Sequence, residues 1–331
     1  MTSTLPLGDA RLEKELAGEL DAIERRLTRE TSNADPLVQT PARHLMEAGG
    51  KRLRPVLVLL TAHLGSGVND EVRTAAVATE LTHLATLYHD DVMDDAPLRR
   101  GAPSAQHVWG NSVAILTGDL LFAKASQLVS TLGPVAVRIQ AEAFERLVLG
   151  QLHETLGARD AEDPVAHYLR VLADKTGSLI AASAHYGTLF SGADETAMHA
   201  AISYGEKVGV AFQLADDVID LISDADTLGK EPGTDLRAGV ATMPVLLLQA
   251  RAASGDLDAV GSSILADLSS DDEDVRASTL ERLREHQVLA DARTLAQQWA
   301  ADAVAELDPL PDTAAKRALV AFAELLVDRL A

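Results

Sequence analysis

Two short stretches of this 331-residue chain carry carboxylates at a spacing suited to divalent-ion chemistry. The first reads His89-Asp90-Asp91-Val92-Met93-Asp94-Asp95 and ends a long apolar pattern; the second reads Gln213-Leu214-Ala215-Asp216-Asp217-Val218-Ile219-Asp220. A four-residue step puts Asp90 with Asp94, and Asp216 with Asp220, on one helical face about one turn apart. Carboxylates that close repel, and the cost grows in a partly buried cleft. A hard divalent cation removes the conflict. Magnesium takes one or two carboxylates and leaves its other octahedral positions to water and phosphate oxygens. One such string in a chain with 50 acidic residues is as readily a solvated face. Two of them, each set among apolar residues, point to several Mg²⁺ ions held against one diphosphate.

Cations and glycines of the kind a phosphate needs stand beside both strings. Pro97-Leu98-Arg99-Arg100-Gly101 follows the first, and arginine's planar fork suits phosphate oxygens. After the second comes Leu228-Gly229-Lys230-Glu231-Pro232-Gly233, where glycines permit close backbone approach and Lys230 supplies a point charge. Upstream lies Gly49-Gly50-Lys51-Arg52-Leu53-Arg54-Pro55, and Lys175-Thr176-Gly177 interrupts another long pattern. Each alone is more often a surface turn. Their joint order carries the weight.

The elements that position these residues read as helices almost from end to end. Leu12, Leu16, Leu20, Ile23 and Leu27 recur every three or four positions, the mark of an amphipathic helix. The pattern returns over Val56–Leu64, Val72–Val92, Val113–Leu132, Val135–Leu156, His167–Phe190, Glu195–Ile222, Thr242–Arg251, Leu289–Leu307 and Ala314–Leu330. Breaks fall at Gly49–Gly50, Gly65–Gly67, Gly101–Pro103, Gly133–Pro134 and Gly229–Gly233, and Ser269–Asp274 reads as a surface loop. No alternating β-branched run predicts a sheet, and no linker divides the chain. The expectation is an all-α protein, one domain over 1–331, built as a single large helical bundle.

Composition agrees. Hydrophobic residues make up 47% and aromatics only 3%, so the core must be Leu, Ala, Val and Ile. The net charge of −21 repels nucleic acid and anionic lipid. The absence of cysteine excludes disulfides, thiolate metal sites and a Cys nucleophile. Met1 to Asp9 lacks the layout of a signal peptide. The longest apolar run, Pro55–Ala62, is too short to span a bilayer. A cytoplasmic protein without a transmembrane segment is expected.

In order, GGKRLRP, HDDVMDDAPLRRG, KTGSLIA, FQLADDVID and GKEPGTDLRAG resemble the signature of trans-prenyl diphosphate synthases, over Ala42 to about Leu248. The wording of HLATLYHDDVMDDA and GTDLRAGVATMP is similar to actinobacterial polyprenyl synthases. The resemblance implies the isoprenoid synthase type I fold around a deep central cavity, a homodimer, and three Mg²⁺ per active site. It assigns Asp90, Asp91, Asp94, Asp216, Asp217 and Asp220 to magnesium, some through water. Arg99, Lys175 and Lys230 match contacts to an allylic diphosphate. Lys51, Arg54, His83 and Arg100 match the pocket for isopentenyl diphosphate, and Thr176 and Gln213 match polar groups beside the reacting carbons. One departure stands out: Val240 replaces a lysine frequent two residues before the last-motif threonine, Thr242. His89 reads as a hydrogen-bonded neighbour of the cluster rather than a ligand.

Product length should depend on what lies beneath the first motif. Ala85 and Thr86 sit about one turn deeper than Asp90. Bulky aromatics near here stop growth in short-chain relatives, so small residues predict a product beyond C15, with Phe144 or Leu147 as a candidate floor. Three rivals compete: a class I terpene cyclase, which has little use for GGKRLRP or a second aspartate string; a non-catalytic subunit of a heteromeric synthase, which loss of aspartates would favour; and an acidic helical scaffold.

Overall fold

The structure is a computed structural model describing residues 6–32, 35–159, 162–222, 233, 236 and 240–327. Its helices are α1 (Ala10–Glu30), α2 (Pro36–Glu47), α3 (Leu53–Ala62), α4 (Asp70–Met93), α5 (Ala105–Trp109), α6 (Asn111–Ser130), α7 (Pro134–Leu156) and α8 (Pro164–Leu172). After a π-helical turn at Ala173–Gly177 come α9 (Ser178–Ser191), α10 (Glu195–Ile222), α11 (Met243–Ser254), α12 (Ala259–Asp267), α13 (Glu273–Glu285), α14 (Gln287–Ala305) and α15 (Ala314–Val327). The all-α expectation holds. Among the described residues the only strands are β1 (Leu98–Arg99) and β2 (Ala102–Pro103), two residues each.

Helix ends follow local chemistry. Asp9 caps α1 by accepting from the Arg11 and Leu12 amides, and Asn69 caps α4 through the Val72 amide. Such caps satisfy amides that have no partner within the helix. Asp272 does the same for α13, accepting from Asp274 and Val275. That cap ends the acidic loop two residues earlier than the composition of Ser269–Asp274 suggested. The β1–β2 hairpin was invisible to strand periodicity because its turn, not its strands, makes it. Arg100 and Gly101 adopt φ of 55° and 76°, the left-handed pair that a tight two-residue hairpin needs.

The chain clusters into two compact units, residues 1–145, 179–205 and 306–322 in one and residues 146–178, 206–305 and 323–331 in the other. Three of the five boundaries fall within helices α7, α10 and α15, and the other two at the start of α9 and the end of α14. In the first unit α4 is buried along most of its length, and Leu57, Leu59, Leu60, Leu81, Leu84 and Tyr88 are wholly enclosed. Two glycines set helix spacing there. A Cβ on Gly118 of α6 would collide with the His89 ring and lie 3.1 Å from the Ala85 carbonyl oxygen of α4. A Cβ on Gly187 of α9 would collide with the Thr61 hydroxyl and the Val58 carbonyl of α3. The second unit packs α10–α14 around Leu214, Val218, Leu248, Ile264, Leu283 and Val288.

Helix α6 is, by length and composition, apolar enough to cross a membrane, although no unbroken apolar run marks it. Its buried residues, Ala114, Thr117, Leu121, Ala125 and Val129, form one stripe, and 39% of the apolar window is buried.

Gly187→Ala should cost about 1–3 kcal/mol, because the α3 backbone must move to admit the methyl group. Urea denaturation of the variant against the parent chain measures it.

Candidate active site

The first aspartate string closes α4, and the helix turns its members in different directions. Asp91 is fully buried, Asp90 half-buried, and Asp94 and Asp95 exposed. The Asp94 amide donates to the Asp90 carbonyl at 2.8 Å, which keeps the four-residue step helical. Asp91 faces inward, where Oδ1 accepts from Arg99 Nε at 2.6 Å. Burial pushes its carboxyl above the usual aspartate range, against the pull of Arg99. Its second oxygen, Oδ2, is buried without a hydrogen-bond partner. Arg99, matched by resemblance to substrate phosphate, therefore has a protein carboxylate as its partner here.

GGKRLRP separates its cations by role. Arg52 is buried at 6% exposure and adopts φ of 51°. Its guanidinium pairs with Glu24 and, at 3.0 Å, with the buried Glu80, and also donates to the Met46 and Gly49 carbonyls. It is a structural strut. Arg54 stands apart: its Nε is buried without a partner, and burial draws its pKa down to about 10. Lys51 is exposed. Arg100 of the hairpin reaches the Leu45 carbonyl at 2.9 Å and the Gly49 carbonyl. A Cβ on Gly50 would lie 2.8 Å from that guanidinium. Arg52, Asp95 and Arg100 are the non-glycine residues with positive φ among those described. Each costs on the order of 1–3 kcal/mol, a strain typical of functional sites. His83 sits in the field of these cations. Burial first, then Arg54, Arg100, Arg99 and Arg52, hold its imidazole well below the ordinary 6.5, so the ring is neutral.

In the second unit the KTG motif forms the π-turn Ala173–Gly177, a wider winding that often marks functional positions. Thr176 is buried, and half-buried Lys175 pairs with Glu154 of α7. Near the end of α10, Gln213 and Asp216 are half-buried, while Asp217 and Asp220 are 5% and 3% exposed. Asp217 accepts from the Tyr168 hydroxyl at 2.9 Å and from the Met243 amide at 3.1 Å, which ties α10 to α8 and α11. Lys230 lies outside the described residues.

The donor sets fit a hard cation. Both strings offer only carboxylate oxygens, and Asp91 keeps a buried oxygen without a donor. Among the described residues no three His, Asp or Glu side chains converge into a ready ligand set. His89 contacts the Ile115 carbonyl at 3.1 Å, Asp119 at 3.4 Å and the Phe122 ring, consistent with a packed histidine.

For chain length, Ala85 is wholly buried, and its main-chain carbonyl lies against Gly118 of α6. Thr86 is 6% exposed, and its hydroxyl donates to the His83 carbonyl. Phe144 meets Phe122 with ring centres 4.5 Å apart and planes tilted by 56°, while Leu147 is buried in the other unit. Sequence reading missed Glu80, Glu154, Tyr168 and Arg146, whose roles depend on tertiary partners. The one available signal was a lone acid, Glu80, inside an apolar helix.

All-helical architecture, two carboxylate strings and buried cations around His83 are what a metal-assisted enzyme of diphosphate chemistry would need. A family model described as Polyprenyl synthetase matches residues 35–280. The chain is 45% identical over 324 residues to nonaprenyl diphosphate synthase of Mycobacterium tuberculosis, covering 98% of this chain and 96% of that one. A polyprenyl synthase from Caulobacter crescentus CB15, solved with calcium and isoprenyl diphosphate, matches with a TM-score of 0.87 and 33% identity over 99% of each chain. A geranylgeranyl pyrophosphate synthase from Corynebacterium glutamicum, solved with the same ligands, gives 0.85 and 40% over 98% of each. The chain belongs to the polyprenyl synthetase family and is a prenyltransferase.

His83 yields a pH prediction. Unfolded, it gains a proton below about pH 6.5; folded, it resists, so the unfolded state binds more protons. Stability should therefore fall with acidification below 6.5, by up to about 1.4 kcal/mol per pH unit. His83→Gln should flatten this slope relative to the parent when melting temperature is followed from pH 7.5 to 5.0.

Proposed function

We propose that this protein is a trans-prenyl diphosphate synthase that joins isopentenyl diphosphate head-to-tail onto an allylic diphosphate, the whole chain acting as one catalytic domain. One observation carries the reading: Asp91 of the first aspartate string is bonded to Arg99 beside the cluster of Arg54, Arg100 and neutral His83. Carboxylates for metal and cations for phosphate are thereby joined in one wall.

The roles follow from the groups. Lys51, Arg54, His83 and Arg100 bind isopentenyl diphosphate as point charges and donors, with no metal needed. Arg99, Lys175 and Lys230 hold the allylic diphosphate and stabilise charge as its C–O bond breaks. Asp90, Asp91, Asp94, Asp216, Asp217 and Asp220 would hold the Mg²⁺ ions, three per site, which when bound would supply Lewis acidity to the departing diphosphate. Thr176 and Gln213 present oxygen dipoles to the allylic cation and keep nucleophilic water away. The isopentenyl double bond then attacks, and a proton leaves to the released diphosphate, since no side chain here is an evident base. Val240 is the one missing cation; Lys175 is present on the π-turn.

A product longer than C15 is favoured by the nonaprenyl and geranylgeranyl synthases among the relatives and by the absence of an aromatic side chain at Thr86. A homodimer is favoured by apolar residues that stay exposed on α6 and α7: Leu116 at 66%, Leu152 at 50% and Leu156 at 79%.

With labelled isopentenyl diphosphate, an allylic primer and Mg²⁺, chain elongation is expected, and Asp90→Ala or Asp216→Ala should each lower kcat by about 10²-fold or more. No Mg²⁺-dependent diphosphate release would overturn the assignment, and farnesyl diphosphate as sole product would overturn the length. Thr86→Phe should shift the chromatographed products toward shorter chains.

A further inference from the structure

The π-turn that carries Lys175 and Thr176 cannot hold itself. Its hydrogen-bond geometry is poorer than an α-helix's, so its winding depends on what surrounds it. Three contacts within the second unit supply that support. On one side α7 approaches so closely that a Cβ on Gly150 would lie 2.5 Å from the Lys175 nitrogen and 3.0 Å from its Cα. On the other, α10 comes so near that a Cβ on Gly177 would lie 3.0 Å from the Glu206 carbonyl oxygen. Between them runs Arg146 of α7. Its Nε donates to Asp174 in the turn at 2.8 Å, and its Nη1 donates to Glu206 of α10 at 2.8 Å.

We propose that Arg146 is a positioning residue: by bridging Asp174 and Glu206 it fixes the π-turn, and with it Lys175 and Thr176, against the face of α10 that carries Gln213. Glu206 and Gln213 are seven residues apart, two helical turns, and so share that face. One guanidinium thus sets the relation between the two polar groups assigned to the reacting carbons. Removing it leaves two carboxylates facing each other without a cation, which pushes the turn and α10 apart. Misplacement of about 1 Å costs up to about 10²-fold in rate. The inference rests on the assignment of Lys175 and Thr176 to the allylic diphosphate site.

Steady-state kinetics of the full chain tests it. Arg146→Met should lower kcat at least about tenfold while KM for isopentenyl diphosphate stays within about twofold. The deficit should persist well below the melting temperature, and Arg146→Lys should recover part of it. Glu206→Gln, which keeps an acceptor for Arg146 but removes the charge on one side of the bridge, should show a smaller loss in kcat and serves if Arg146→Met folds poorly. In a Lys175→Ala/Thr176→Ala background, adding Arg146→Met should cause no further loss. An unchanged kcat in both Arg146→Met and Glu206→Gln, or an undiminished effect in that background, overturns the positioning role. If Lys175→Ala/Thr176→Ala itself retains the parent kcat, the allylic-site assignment falls, and the inference falls with it.

Discussion

Two helices in this protein place their carboxylates at the end where the backbone already carries negative charge. Asp90, Asp91 and Asp94 close α4, and Asp216, Asp217 and Asp220 lie in the last two turns of α10. An anion near a helix C-terminus opposes the macrodipole by about 0.3–1 kcal/mol, on top of repulsion between neighbouring acids. Much of the surrounding structure answers that charge. Arg99 neutralises Asp91, while Tyr168 and the Met243 amide satisfy Asp217. Asp94 and Asp95, at the end of α4, stay exposed.

The same division of labour runs through the cations. Arg52 and Arg54 are two residues apart in one motif, yet one is locked between Glu24 and Glu80 and the other keeps an unpartnered nitrogen. A neutral His83 among arginines adds a donor without adding repulsion. Electrostatic preorganisation of this kind needs rigid supports, here glycine-mediated helix contacts rather than aromatic bulk.

Helix positions, the all-α class and the motif order were legible because 3.6-residue periodicity and turn residues are local signals. So were the two aspartate strings. What escaped was direction and partnership. Three acids in a row of five cannot announce that Asp91 turns inward and Asp94 outward until the helix phase is fixed by packing. Nor can KTG reveal a π-turn, because its winding is held by Arg146 and Glu206, far away in sequence. Nor could the sequence show that the backbone of Ala85 lies against Gly118 of α6.

The β1–β2 hairpin has a consequence for length variation. Arg99 and Arg100 are adjacent, and one reaches the acid helix while the other reaches the Gly49 loop. Arg99 ends the first strand and Arg100 opens the turn at positive φ, so the turn geometry sets their two directions apart. A single-residue insertion or deletion ahead of the turn would move both side chains out of register and break both contacts at once. The segment between Ala96 and Ser104 should therefore tolerate changes of side chain far better than changes of residue count.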